Sequence, residues 1–264
     1  MFPIGDENRA TLRPYVNYAL LLVNVVVFFF FYLGGDAVLW NAIVEYGTIP
    51  SFILRGDRLW TLITSMFMHA DPIHLLGNMA YLWVFGDNIE GSIGHGKYLL
   101  FYLLGGLAAS FAHIASTLVA LPMSGVAGFD PLDIPSVGAS GAVSAILGAY
   151  LLLFPRARIR TLIIRFFITI VRVPAMYYLG FWFLYQLLLG VVSITGLSFA
   201  SIAFWAHIGG FVFGAITVKL LNVKPSVQPR AIPRQILRMR RCPYCGYENA
   251  PTGFYCANCG SRIT

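Results

Sequence analysis

Ser140 stands in the run Gly138-Ala139-Ser140-Gly141-Ala142, inside an otherwise apolar stretch from Ile134 to Tyr150. A hydroxyl gains nothing by packing there. It becomes a nucleophile when a base takes its proton, and histidine is the usual base. The candidate base is His207, held in the apolar stretch Phe204-Trp205-Ala206-His207-Ile208-Gly209-Gly210. An acyl transfer also needs donors for the oxyanion. His74 and Asn78 are four residues apart, so on a helix they share a face and can donate together. Ser140 follows Pro135 and Ser136, which suits the first turn of a helix, where free backbone N–H groups and the positive dipole end add to the same task. No Asp or Glu lies near His207, and a buried carboxylate is costly to keep charged. The expected machinery is therefore a Ser–His dyad. Ser110, His113 and His95 lack such context; the first two are expected to be structural and His95 a solvated loop residue.

Close helix approach is written beside both reactive residues. Gly210 and Gly214 fall on the face of His207, and Gly141, Ala145 and Gly148 form a small-residue stripe beside Ser140. Such stripes let two membrane helices approach closely. Taken singly, a membrane serine that bonds back to its own helix, a packing GxxxG or a buried histidine needs no catalytic explanation. The combination of Ser, His, Asn and His, with approach faces beside the serine and the last histidine, does.

A second constellation lies at the other end. Cys242-x-x-Cys245 and Cys256-x-x-Cys259 hold all four cysteines. Four thiolates suit tetrahedral zinc in a closed, structural site, and Gly246 and Gly260 after each pair suit the tight turns of such knuckles. A redox dithiol pair is the weaker alternative, since one CxxC would suffice. Without zinc a segment this small should be unfolded.

These residues need elements to hold them. The chain is 58% hydrophobic and 11% charged over 264 residues, with a mean hydropathy of +0.73, against about 25% charged in soluble domains. Six runs are expected to span a bilayer, at about 15–34, 73–92, 98–120, 138–154, 175–196 and 201–221. The first is too long for a signal h-region and is expected to stay. The second is the least apolar. With both termini inside, 16 of the 18 basic residues lie on the inner side and only Arg55 and Arg58 outside. That asymmetry explains the net charge of +7 without nucleic acid. The basic stretch 230–241 is expected to be a solvated linker or an inner-leaflet contact. The first outer loop, about 35–72, is expected to hold short helices lying partly in the interface, and 157–174 to be an amphipathic piece on the inner surface. The expected division is a short cytoplasmic N-terminus at 1–14 with no soluble N-terminal domain, a membrane domain at 15–221, a basic Pro-containing linker at 222–241 and a zinc-ribbon tail at 242–264.

The residues resemble the rhomboid family of intramembrane serine proteases. Gly138-Ala139-Ser140-Gly141 resembles its GxSG nucleophile motif, Ala206-His207 followed by Gly210 and Gly214 its AHxxGxxxG helix, and His74 to Asn78 its HxxxN oxyanion motif with His69 five residues earlier. Glu90-x-x-x-Gly94 followed by Tyr98 resembles the ExxxG pattern closing the second span. The likeness covers about residues 15–221 with order and spacing intact. It implies an all-α six-transmembrane-helix rhomboid bundle with a water-filled active site open to the outer side, cleaving transmembrane protein substrates near their outer ends. Ser140 would be the nucleophile and His207 the general base, then the acid. Asn78, His74 and the Ser140 N–H would hold the oxyanion, with Glu90 structural. The chain departs from the pattern at Ser144, where members often carry an aromatic packing on the catalytic histidine, and at Thr61 after Trp60, where many have Trp-Arg.

The expected function is that of an intramembrane serine endopeptidase with no catalytic cofactor and a structural zinc ion in the tail. Its partners would be transmembrane substrates and the lipid bilayer, with a possible protein partner for the zinc-ribbon tail. The expected location is multi-pass in a bacterial plasma membrane, termini cytoplasmic. The competing readings are a catalytically silent rhomboid-like client binder, a transporter with a proton relay, disfavoured by the lack of an internal repeat or mid-membrane carboxylate set, and a zinc-tail nucleic-acid binder, which ranks last.

Overall fold

A computed structural model of the chain describes all residues except 1, 9, 121–129, 165–167, 195–202, 228–239, 250–252 and 264. Most of the connection 121–137 and of the basic stretch 230–241 therefore lies outside the described residues. The chain forms two compact units, Met1–Gln228 and Pro229–Thr264.

The first unit begins with a strand, β1 (Phe2–Asp6), followed by α1 (Tyr15–Tyr32), α2 (Asp36–Tyr46), α3 (Pro50–Leu54), α4 (Thr61–Thr64), α5 (Pro72–Ile93), α6 (His95–Ala120) and α7 (Ser140–Leu153). Strands β2 (Arg158–Ile164) and β3 (Ile168–Pro174) then lead into α8 (Ala175–Ile194) and α9 (Phe204–Leu220). α1, α6 over His95–Val119, and α8 are long and apolar enough to cross a membrane; α7 and α9 are apolar but shorter. α5 has 22 residues and carries Asn78, Asp87, Asn88 and Glu90 in its length.

The stretch 35–72 forms short helices, as its length and apolar content suggest. The described residues of the stretch 157–174 form mainly two strands. β2 and β3 pair antiparallel with Ile159 opposite Val173, and β1 adds to the other edge of β2 with Phe2 opposite Leu162. The reason is local. Arg158-Ile159-Arg160-Thr161-Leu162 alternates with period two and is rich in β-branched residues, and Ile159 and Thr161 are fully buried.

The core gathers around α7. Its residues Gly141 to Tyr150 are all buried, because α7 lies against α5, α6, α8 and α9. Small residues permit this. A methyl on Gly210 or Gly214 would overlap the carbonyl oxygens of Gly141 and Ala145, and one on Gly148 would overlap that of Phe211. α7 and α9 thus touch backbone to backbone.

Glu90 fastens the other helices. Its side chain is fully buried and accepts the N–H groups of Val16 (3.0 Å) and Asn17 (2.7 Å) at the start of α1. These are donors that a helix start leaves unpaired. Its Oε1 also lies 2.5 Å from His95 Nδ1. His95 is therefore the first residue of α6 and a partner of Glu90 rather than a loop residue, with its side chain partly exposed. Gly94, at φ +83°, turns the chain between α5 and α6.

The second unit contains β4 (Arg240–Arg241) paired with β5 (Glu248–Asn249). Its two halves repeat one turn. Gly246 N–H donates to Cys242 O and Gly260 N–H to Cys256 O, both at 2.9 Å, with φ of +73° and +71° at the glycines.

Candidate active site

The entry to α7 is built by the loops around it. Gly138 N–H donates to Ser65 O (2.9 Å), and Ser136 exchanges backbone bonds with Thr48. Thr48 Oγ1 bonds Ser65 Oγ in turn (2.9 Å). The loop 35–72 thus holds the strand-like approach to Ser140. Gly138 takes φ +128°, a conformation open to glycine but strained for other residues. Ala139 then caps α7, whose first intrahelical bond runs from Val143 N–H to Ala139 O (2.9 Å). The N–H groups of Ser140, Gly141 and Ala142 precede that bond and are free of the helix ladder.

Across the α7–α9 contact, Ser140 Oγ lies 2.8 Å from His207 Nε2. The two residues are 67 positions apart in sequence, and the glycine-mediated approach of the helices closes that distance. The other ring nitrogen, His207 Nδ1, lies 2.8 Å from Gln186 Oε1 on α8. Trp182, one turn earlier on α8, lies with its ring centroid 5.9 Å from that of His207. Ser144, where an aromatic neighbour of the histidine is expected from the resemblance, instead donates back to Ser140 O (2.6 Å).

His74 and Asn78 lie on one face of α5. A methyl on Gly138 would fall 2.8 Å from His74 Nε2 and 3.6 Å from Ser140 Oγ, so the imidazole edge of His74 borders the serine. His74 Nδ1 receives a long bond from Ala70 N–H (3.5 Å), which leaves the proton on Nε2, the edge facing the site. Asp71 begins α5 and accepts from the N–H groups of Ile73 and His74 at 2.8 Å each. Asn78 is buried, and its Nδ2 donates to His74 O (3.0 Å), which leaves its second amide hydrogen available. His69 is fully buried beside His74, with ring centroids 5.2 Å apart. Burial, and then the neighbouring His74, push its imidazole down to about 3, so it is neutral.

The structure thus brings Ser140, His207, His74 and Gly138 together, with His69 behind His74. Gly141 faces Ala109 of α6 with its missing side chain and α9 with its carbonyl. Glu90 belongs to the α1–α5–α6 junction. Gln186 and Trp182 are the neighbours that sequence reasoning missed. A signal existed: Gln186 is the lone amide in the apolar run 175–196, and polar groups within such runs are functional hypotheses by default.

The four thiols of the second unit also converge. Their sulfur atoms all lie within 4.8 Å of one another, with Cys242 and Cys259 at 3.6 Å and Cys245 and Cys256 at 3.5 Å. A tetrahedral site with Zn–S bonds of about 2.3 Å requires sulfurs about 3.8 Å apart. The donor set and spacing fit a metal ion of that kind.

Residues 56–223 match the family model of the Rhomboid domain. The chain is 34% identical over 192 residues to RHOMBOID-like protein 12, mitochondrial, of Arabidopsis thaliana, covering 69% of this chain and 54% of that protein. It is 26% identical over 211 residues to Rhomboid protease GluP of Bacillus subtilis (80% and 36%), and 30% identical over 151 residues to Putative rhomboid protease YdcA of the same species (56% and 68%). The matches to the first two span about half or less of those proteins' own lengths. Mitochondrial and bacterial names stand side by side, so the similarity does not single out a bacterial membrane.

Proposed function

The chain belongs to the rhomboid family, a membrane-embedded family that includes proteases, and on that premise we propose that it is an intramembrane serine endopeptidase cutting transmembrane substrates. The observation that carries this reading is the 2.8 Å contact between Ser140 Oγ and His207 Nε2 at the start of α7.

The chemistry follows from the neighbours. His207 Nε2 takes the Ser140 proton as Oγ attacks the scissile carbonyl. The oxyanion forms beside the free N–H groups at the start of α7 and the N–H edge of His74, with the spare Asn78 amide hydrogen adding a donor. The imidazolium then protonates the leaving amine. Water attacks the acyl-enzyme as His207 Nε2 takes its proton, and the imidazolium then returns that proton to Ser140 Oγ as the bond from Oγ to the acyl carbon breaks and the carboxylic acid product leaves. No metal takes part in these steps.

The short α7 supports a reaction below the membrane surface. Its 14 residues rise about 21 Å, against a hydrocarbon core of about 30 Å. Irregular backbone at membrane depth is tolerated only when protein covers it, and the Gly138–Ser65 and Ser136–Thr48 bonds supply that cover. We read the bundle as six spans, with α5, α7 and α9 joining the three longer helices, and with both termini on the side of the 16 basic residues. The tail binds one structural zinc through Cys242, Cys245, Cys256 and Cys259, which leaves no open position for catalysis.

The test is cleavage of a model transmembrane substrate in liposomes, together with labelling by a fluorophosphonate probe of activated serines. The intact chain should cut and take up probe on Ser140, and Ser140→Ala should do neither. His207→Ala should lose at least about 10³-fold in rate. Binding without cutting or labelling would favour the silent client binder, and cutting by Ser140→Ala would remove the dyad.

A further inference from the structure

We propose that Gln186 is a positioning residue for His207: its side-chain oxygen holds the imidazole proton on Nδ1 and so keeps Nε2 free to act as the base toward Ser140. The inference rests on the Ser–His reading above and adds a residue to it.

A neutral imidazole carries one N–H, and which nitrogen holds it depends on the partner of the other. Base action by Nε2 requires the proton on Nδ1. Gln186 Oε1, 2.8 Å from Nδ1, is a carbonyl oxygen and can only accept. The contact therefore selects the productive tautomer. Without it, the proton could sit on Nε2 and donate to Ser140 Oγ, which leaves no base at the nucleophile.

The helix that carries Gln186 is registered for this contact. Trp182, Gln186 and Gly190 lie at i, i+4 and i+8 of α8 and all meet α9. Trp182 lies against the His207 ring, and Gly190 O accepts from Trp205 Nε1 (2.9 Å) two residues before His207. A methyl on Gly190 would press on the Trp205 ring at 3.4 Å and on Ile208 at 3.1 Å. The stripe therefore fixes the height of Gln186 against His207 and supplies the aromatic contact that Ser144 does not.

An amide also suits the surroundings. Gln186 is 7% exposed. A carboxylate buried there would cost desolvation free energy before any catalysis, whereas a neutral amide orients the ring without placing a charge in an apolar bundle.

The experiment compares the full chain with Gln186→Met and Gln186→Glu in detergent micelles and liposomes. Its first readout is the ¹⁵N spectrum of the histidine rings, with His207 identified by its loss in His207→Ala. The intact chain should carry the His207 proton on Nδ1, and Gln186→Met should show mixed tautomers at an unchanged unfolding temperature. The second readout is cleavage. Gln186→Met should lower kcat on the order of ten- to a hundredfold with KM within about twofold, as losses of orienting partners do. Gln186→Glu, which keeps an acceptor, should recover most of that kcat and move the acid limb of the kcat–pH profile upward, since a carboxylate favours the imidazolium. An intact chain with the proton on Nε2 overturns the proposal, as does Gln186→Met with unaltered kcat and pH profile. If the intact chain neither cuts nor takes up the fluorophosphonate, the protease reading fails, while the ring spectrum still decides the Gln186 contact.

Discussion

Gly138 shows how one residue type serves both backbone and site. Its φ of +128° suits glycine, and the absent side chain leaves room for the His74 Nε2 edge. Gly138→Ala should therefore cost backbone strain of about 1–3 kcal/mol and displace His74 as well. Its cleavage rate should fall at least tenfold, while circular dichroism in detergent stays helical. On the proposed mechanism, His74→Ala removes an oxyanion donor without touching the Ser140–His207 contact. It should lower kcat on the order of 10²-fold and still permit slow fluorophosphonate labelling of Ser140. Full activity in His74→Ala would place the oxyanion elsewhere.

Elements meet at two junctions. At the α1–α5–α6 junction, Glu90 caps α1 from 74 residues away in sequence and meets His95 at the head of α6. Glu90→Ala strips two backbone donors of their carboxyl acceptor in a buried place. A loss of about 2–4 kcal/mol is expected, read as a lower midpoint of unfolding in detergent. The second junction joins the sheet to the serine helix. Asp6 of β1 bonds the Tyr150 hydroxyl near the end of α7 and Asn88 Nδ2 at 3.0 Å, with Asp87 alongside and Asn8 also on Tyr150. Burial raises the Asp6 carboxyl from 3.8 to about 7, with the nearby Asp87 charge adding to the shift. A carboxyl raised on folding stabilises the fold fully below its unfolded value, and that contribution is lost as pH rises through the folded one. The β1 attachment should therefore loosen between about pH 4 and just above 7. Hydrogen-exchange protection at Phe2–Asp6, after correction for the intrinsic rise of exchange with pH, should fall over that window in the natural chain and stay flat in Asp6→Asn. Equal pH dependence in both would remove Asp6 as the cause.

At the scale of the whole molecule, two units follow different physics. The first is held by helices packed through glycine contacts and by a buried polar set. The second is a segment whose buried cluster among the described residues is Cys242, Cys256 and Ile263, too little apolar burial to hold those residues in a fold alone. A strong chelator should release one zinc per chain, measured by mass spectrometry, and collapse the amide dispersion of residues 240–263. Fluorophosphonate labelling of Ser140 should survive. Loss of labelling on chelation would give the metal a part in the active site.

The sequence by itself determined the family and named the candidate residues for its chemistry. Ser140, His207, His74, Asn78 and the glycines beside them are named by type and by local spacing, and so are the four cysteines. Spacing along a helix reports a shared face without any knowledge of the partner helix. Only the tertiary structure decided what those faces meet. Gln186 and Trp182 reach His207 because α8 lies against α9 at one height, and height is a property of packing. Glu90 meets α1 and His95 because three helix ends converge, a long-range event with no local period. The stretch 157–174 reads in sequence only as an amphipathic surface piece, and the strands Arg158–Ile164 and Ile168–Pro174 are decided by their pairing, with β1 as the third strand. Where an interaction is local in sequence, residue types report it; where two distant elements must share a register, the free energy of packing chooses the partner.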